Sequence, residues 1–216
     1  MALSEARRED RRRRIVAAAQ SLLRDRHDAN FSMAELARRA GVSPATPYNL
    51  VGTKAGVLRL VVEEEYRAFI ARLPKDRSGG PLQALLDAIA LVVTQYEADR
   101  QFYRTLYGMI FSSDLPNVTE NMLALGRAMW RGFVRDAIDA GELSDTVAVE
   151  PFADNLMRAI SSVTLAWLAA NWSHARFERE MSLSVRLIVA SVAHPDLQPR
   201  LRAEIAACHA ALRPRA

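Results

Sequence analysis

Apolar residues recur along this chain every three or four positions, the spacing that places side chains on one face of an α-helix. Ile15, Ala18, Ala19, Leu22 and Leu23 form one such stripe, directly behind an arginine run at 11–14. Leu82, Leu85, Leu86, Ile89, Val92, Val93 and Tyr96 form a second. Met122, Leu125, Met129, Phe133 and Ile138 mark a third long helix, and Leu156, Ile160, Val163, Trp167 and Ala170 a fourth. Breaks fall where turn chemistry puts them: Gly41, Gly52, Ser78-Gly79-Gly80-Pro81, Leu115-Pro116, Ala140-Gly141 and His194-Pro195. Long alternating runs rich in β-branched residues are absent, and so are Asn-Gly and Asp-Gly hairpin turns. The pattern predicts an all-α protein without internal repeats.

The punctuation is densest between residues 31 and 58. Ser32-Met33-Ala34-Glu35 reads as a capping box, with the Ser32 hydroxyl accepting from the Glu35 N–H and the Glu35 carboxylate reaching back to the Ser32 N–H. The helix it opens, Met33–Ala40, is closed by Gly41, a residue able to take positive φ. Val42 follows as a buried spacer. Ser43 is then placed to cap a second helix, with Pro44 at its first position. A short helix, a glycine turn and a second short helix make the pattern of a helix-turn-helix, whose second helix enters the DNA major groove. A third start follows at Gly52-Thr53-Lys54, with Thr53 as cap. Lys54 beside a helix start opposes the helix dipole, a penalty that a docked phosphate would reverse.

Charge sharpens this picture. The chain has 216 residues, with 29 Lys+Arg against 25 Asp+Glu, a formal net charge of +4. Residues 1–60 hold 12 basic and 6 acidic side chains, whereas residues 61–216 hold 17 and 19. The excess is therefore local to the N-terminal region. It fits either a solvated basic tail or a small nucleic-acid-binding module on a near-neutral body. Half of the residues are apolar and a quarter charged, a balance that argues against disorder. No run of about 18 uncharged apolar residues exists, so neither a membrane span nor a secretory signal is expected, and a cytoplasmic location fits. The single cysteine, Cys208, excludes an intrachain disulfide and any cysteine-cluster metal site. There is no HExxH or phosphate-loop fingerprint, and His27, His174, His194 and His209 are scattered. Glu63-Glu64-Glu65 reads as a solvated helix face. No metal, cofactor or catalytic residue is expected.

Residues 31–58, FSMAELARRAGVSPATPYNLVGTKAGVL, resemble the DNA-binding segment of the tetracycline-repressor (TetR) family of bacterial regulators. The residues that carry the resemblance are Leu36-Ala37, Ala40-Gly41-Val42-Ser43, Thr46, Tyr48, Thr53-Lys54 and Leu58, with Ile15, Ala18, Ala19 and Leu22 in the preceding helix. The resemblance covers about 50 residues. It implies a three-helix DNA-binding domain over residues 1–60 and a larger helical effector-binding and dimerisation domain over 61–216. By position, Ala45 and Thr46 would face base edges. Tyr48 would meet the phosphate backbone and Asn49 a base or phosphate. Ser43 would open the reading helix, and Ser32 and Lys54 would hold phosphates on either side of the groove. Arg7, Arg8, Arg11, Arg12, Arg13 and Arg14 would form an N-terminal arm over the backbone or in the minor groove, disordered without DNA. Three departures stand out. Pro47 lies within the reading helix, removing one backbone N–H and disturbing the helix start. Leu50-Val51 replaces a frequent His-Phe pair. The reading helix also has no Arg, Lys or Gln for a bidentate base contact, which shifts specificity toward DNA shape.

For the body, the resemblance implies a homodimer with an effector pocket in each copy. Candidate pocket walls are Phe102, Tyr103, Leu106, Tyr107, Ile110 and Phe111, followed by Met122, Met129, Trp130 and Phe133, with Asn121, Asn155 and Arg158 as orienting polar groups. Such a cavity suits a small apolar or aromatic ligand. The last two long helices, about 149–173 and 176–193, would form the dimer face. Small residues Ala159, Ser162, Ala166, Ala169 and Ala170 would allow close approach, with Ile160, Val163, Trp167, Trp172, Val185 and Ile188 as contacts. The expected function is that of a ligand-responsive homodimeric repressor on a roughly palindromic operator. Two alternatives are an apolar small-molecule sensor or carrier with weak DNA binding, and a helical enzyme with a vestigial head.

Overall fold

The computed structural model describes residues 2–26, 28, 30–75, 78–110 and 116–212; within these, the side chains of 2–4, 110, 116–119 and 121–122 are not described. Among the described residues there are ten α-helices, a single 3-10 turn at Pro195–Leu197 and no strand. The helices are α1 (Ala2–Arg26), α2 (Met33–Arg39), α3 (Ala45–Val51), α4 (Lys54–Arg72), α5 (Pro81–Ala98), α6 (Arg100–Ile110), α7 (Pro116–Asp139), α8 (Val149–Ala170), α9 (His174–Ala190) and α10 (Gln198–Leu212). No helix among the described residues is long and apolar enough to cross a membrane.

The chain forms two compact units that alternate along the sequence. The first comprises Met1–Ala71 and Asp99–Leu125, the second Arg72–Ala98 and Gly126–Ala216. In the first, α1 packs against α2, α3 and α6. Its apolar stripe supplies Ile15, Leu22 and Leu23 to a core that also holds Phe31, Leu36, Leu58 and Phe102, all nearly or fully buried. Each of these contributes about 1.5–3 kcal/mol by leaving water. The glutamate run does not form a uniform solvated face. Glu63 pairs with Arg59 and Glu64 with Arg67, but Glu65 turns inward. Its carboxylate accepts hydrogen bonds from Gln20 Nε2 at 2.9 Å and from the Tyr103 hydroxyl at 2.8 Å, with Arg24 at 3.8 Å. Arg24 pairs more closely with Asp99, at 2.6 Å, and its guanidinium covers the Phe102 ring. This cluster ties α1 to α4 and α6. Beside it, burial and the neighbouring Tyr107 raise the Tyr66 hydroxyl well above its ordinary pKa.

In the second unit, α9 packs against α5, α8 and α10. Trp167 and Phe177 stack at its centre, 4.3 Å between ring centroids and 8° between planes. The helix α10, which closes this layer, was not anticipated from the sequence. Burial alone would raise the Glu204 carboxyl, but hydrogen bonds from Arg186 and Arg200 outweigh it and hold the group below its ordinary value. The turn after α7 has a second role. Gly141, at φ 72°, lets Glu142 N donate back to Ala137 O at 2.9 Å. The Glu142 carboxylate then accepts from Leu82 N at 2.5 Å, so it satisfies an orphan N–H at the start of α5 and lies at the positive end of its dipole. Gly80 leaves room for that carboxylate, which a Cβ would strike. Glu142→Ala is expected to cost about 1–2 kcal/mol, the worth of a helix cap, read as a lower urea midpoint with an unchanged slope.

Candidate nucleic-acid interface

The residues between 31 and 58 fold as their punctuation dictates, with instructive differences. Ser32 caps α2, its hydroxyl accepting from Glu35 N at 3.1 Å. The reciprocal half of the expected capping box is replaced: the Glu35 carboxylate pairs with Arg26 on α1. At the other end, Gly41 takes φ 62°. Its N–H donates to Arg38 O at 3.2 Å, and Val42 N donates to Ala37 O at 3.0 Å. These two bonds are the Schellman closure that a left-handed residue permits. Val42 is half-buried rather than buried.

The second helix starts one residue later than the Ser43 cap predicts, because Pro44 occupies the cap position. Thr46 N donates to Ser43 O at 2.9 Å, a tight turn, and the Ser43 and Thr46 hydroxyls share a hydrogen bond of 2.7 Å. Pro47 therefore sits in the first turn, where a missing N–H breaks no helical bond. It is the buried residue of α3. The opposite face, with Ala45, Tyr48 and Asn49 at i, i+3 and i+4, is exposed, and Tyr48 is 57% accessible. Gly52, at φ 91°, ends the helix by donating to Tyr48 O at 2.9 Å. Thr53 caps α4 through Gly56 N at 3.1 Å. Lys54 is half-buried, its ammonium 4.8 Å above the Phe31 ring. Burial lowers its pKa, opposed by Asp28. The arrangement presents a short helix with an outward aromatic and polar face, next to a capped helix start bearing a cation. A polyanion docked there would meet hydroxyls, a lysine and backbone N–H groups.

The arginine run does not form an arm: it lies within the continuous helix α1. Arg11, Arg13 and Arg14 are exposed and Arg12 is half-buried. Arg13 and Arg14 pair with Asp10 at 3.6 and 3.5 Å. The Arg14 guanidinium also reaches Gly41 O at 3.5 Å, beside the α2–α3 turn.

Several solved structures share this arrangement of helices. TylP, a TetR regulator from Streptomyces fradiae, superposes with a TM-score of 0.66 at 22% identity, over 99% of this chain and 95% of its own. SmeT, the repressor of the Stenotrophomonas maltophilia multidrug efflux pump SmeDEF, gives 0.67 at 18% identity, over 85% and 91%. RolR in complex with resorcinol gives 0.69 at 15% identity, over 97% and 96%. The chain has the TetR-family fold. No protein-family model matches its sequence, and no curated protein does.

Within the TetR fold, the predicted effector residues divide between the two units. Phe102, Tyr103, Leu106 and Tyr107 are buried in the first; Trp130 and Phe133 are buried and Met129 is half-buried in the second. Phe102 and Tyr103 meet edge to face at 5.3 Å, and Trp130 and Phe133 lie 5.8 Å apart. Asn155 and Arg158 are exposed on α8, which removes them as orienting groups inside a pocket. Phe111 lies outside the described residues, as do the side chains of Ile110, Asn121 and Met122. A recess lined by Leu73, Pro74, Ala84 and Phe133 has about 10 Å³ of free space, too little for an organic ligand.

The dimer-face expectation needs a similar correction. Ile160, Trp167 and Val185 are buried inside the protomer, with Trp167 stacked on Phe177, so these side chains are not available to a second copy. Val163 and Ile188 are half-buried and Ala170 is exposed. Trp172 is half-buried beneath the Arg176 guanidinium. The large apolar side chains that α8 and α9 expose are Leu165 and Leu187. Ser162, Leu165 and Ala169 share one exposed face of α8, at i, i+3 and i+7.

Sequence reading also missed Glu65, which a run of three glutamates disguises. Glu65→Ala removes the acceptor for Gln20 and Tyr103 and is expected to cost about 2 kcal/mol, whereas Glu64→Ala at an exposed ion pair should stay within about 0.5 kcal/mol. Paired urea titrations compare the two.

Proposed function

We propose that this protein is a DNA-binding transcription regulator, acting as a ligand-responsive homodimeric repressor in the bacterial cytoplasm without catalytic activity. The observation that carries this reading is the α2–turn–α3 unit, whose outward face of Ala45, Tyr48 and Asn49 has no structural duty and stands beside the Lys54 helix start. In this reading α3 enters the major groove. Ala45 and Thr46 approach base edges, while Ser32, Ser43, Tyr48 and Lys54 position the backbone. Residues 1–60 are the functional head and 61–216 the effector and dimer part, although compact packing follows a different division. The absence of Arg, Lys and Gln from α3 leaves groove shape to carry much of the specificity.

A second copy is proposed to dock on the outer faces of α8 and α9, through Leu165 and Leu187 in place of the buried tryptophan. Two heads related by a two-fold axis then call for a roughly palindromic site, with half-sites about one DNA turn or a multiple of it apart. The effector is proposed to be small and aromatic or apolar, held by the aromatic residues of α6, whose Tyr103 and Tyr107 hydroxyls replace Asn155 and Arg158 as polar groups. RolR, whose structure holds resorcinol, supports a ligand of this class. Such a ligand changes DNA affinity only if it binds the two conformations of the body differently.

Selection from a random duplex library tests the reading: a two-fold-symmetric motif is expected, and recovery of no enriched sequence would overturn it. On the selected duplex, Lys54→Ala should weaken binding whatever the sequence and make the salt slope shallower by about 0.9 for each phosphate that is no longer neutralised. Leu165→Asp with Leu187→Asp should leave a folded monomer in sedimentation and reduce operator affinity at least about ten-fold, since one head alone cannot engage the second half-site.

A further inference from the structure

Residues 40–53 contain no charged side chain, although they lie in the most basic part of the chain. The outer face of a helix that meets only water is ordinarily charged or strongly polar, and that of α3 is not charged at all. Its geometry singles out two positions. Pro47 is the buried residue of α3. Ala45 and Asn49 each lie two residues from it, about 200° round the helix, so they stand farthest from the core. Both are exposed. Thr46 and Tyr48 occupy the two flanks, about 100° from Pro47 on either side.

Asn49 has no task inside the protein. Asparagine is a weaker helix former than alanine, and the Asn49 side chain makes no hydrogen bond among the described residues. The helix does not need it as a C-terminal cap, because Gly52 N donates to Pro47 O at 3.3 Å and to Tyr48 O at 2.9 Å. Thr46 differs: its hydroxyl is engaged with that of Ser43 at 2.7 Å, in the turn that opens the helix. The hydroxyls of Ser43, Thr46 and Tyr48 can each donate or accept, so they suit any polar base edge and distinguish none. Base identity is left to Asn49 and Ala45.

We infer that α3 reads A·T base pairs, with the Asn49 carboxamide on an adenine and the Ala45 methyl against a thymine methyl. The inference rests on the proposed DNA-binding function and names the base pairs that its reading helix selects. A carboxamide presents one acceptor and one donor side by side. Among the four bases in the major groove, adenine alone answers with a donor, N6–H2, beside an acceptor, N7. Guanine presents two acceptors, and cytosine and thymine one polar group each. Guanine is read by Arg or Lys and cytosine by Asp or Glu, none of which α3 has. Ala45 offers only a methyl group, whose counterpart in the groove is the C5-methyl of thymine. Ala45 and Asn49 are about 6 Å apart along the helix axis, and base pairs are stacked about every 3.4 Å. The two readings therefore fall within about two base-pair steps of each other.

The test uses the full chain and the duplex recovered by selection, with single base analogues placed symmetrically in both half-sites. Replacing adenine by 7-deazaadenine removes N7 and keeps the base pair. At one adenine of each half-site this is expected to weaken wild-type binding at least about ten-fold, and to cost the Asn49→Ala variant almost nothing. The same variant should bind A·T and G·C at that pair about equally. Replacing thymine by uracil within two steps of that adenine removes the C5-methyl and should cost the wild type about four-fold, the worth of one buried methyl group, and Ala45→Gly little. Asn49 is exposed, so the thermal midpoint of Asn49→Ala should not fall, which separates lost reading from a failure to fold. The wild-type protein on modified DNA carries no folding risk at all. A half-site in which no adenine is sensitive, or in which the sensitive pairs are G·C, overturns the inference. A loss that Asn49→Ala shares in full also overturns it, because the analogue then acts through groove shape rather than through this side chain. A wild type insensitive to uracil overturns the role of Ala45. Failure of the wild type to bind any selected, unmodified duplex refutes the DNA-binding reading itself, a different result from insensitivity to the analogues.

Discussion

A helix of seven residues has too few backbone hydrogen bonds to persist alone in water, so everything that α3 displays depends on what holds it in place. It is pinned from behind. Pro47 turns inward as its buried residue, and the helix packs against α1 and α2. The turn on its N-terminal side is fixed by Gly41 and by the bond between the Ser43 and Thr46 hydroxyls. Its C-terminal end is fixed by Gly52 and the Thr53 cap of α4. With its position set by these surroundings, the outer face is free to carry residues chosen for a partner. The proline that looks disruptive in the sequence is what anchors α3.

The helix α1 joins the features that matter. Its C-terminal half supplies the core beneath α2 and α3. Near that end, Arg24 binds Asp99 and covers Phe102, and Gln20 reaches Glu65. Its N-terminal half carries the surplus charge of the chain. A displacement of α6 against α1 and α4 would have to break the Tyr103–Glu65 bond or the Arg24–Asp99 pair. An effector that moves α6 would therefore act directly on the helix from which the head is built.

What was legible in the sequence is what local chemistry decides. Gly41, Gly52, Gly80 and Gly141 take positive φ at the expected breaks, and Ser32 and Thr53 cap the helices they precede. What was not legible depends on neighbours distant in sequence. Periodicity says that one face of α8 is apolar, but not that Phe177 rather than a second copy covers Trp167. Glu65 looks like its two neighbours until Tyr103 and Gln20 are seen to donate to it. Asn155 and Arg158 share a helix with buried residues yet point outward. Helix α10 escaped because Leu201 is the buried residue of an otherwise alanine-rich stretch. The arginine run reads as a repelling tail, but Asp10 partly neutralises it and the helix behind it is continuous.

The central claim is that the outward face of α3 is where this protein meets DNA. Backbone hydrogen–deuterium exchange tests it directly, because a short helix with a single buried residue opens readily without a partner. With a saturating duplex at low salt, the account predicts slowed exchange across residues 43–58 and none across α8 and α9. Unchanged exchange over 43–58 while DNA is bound, or protection centred on α8 and α9, would contradict it.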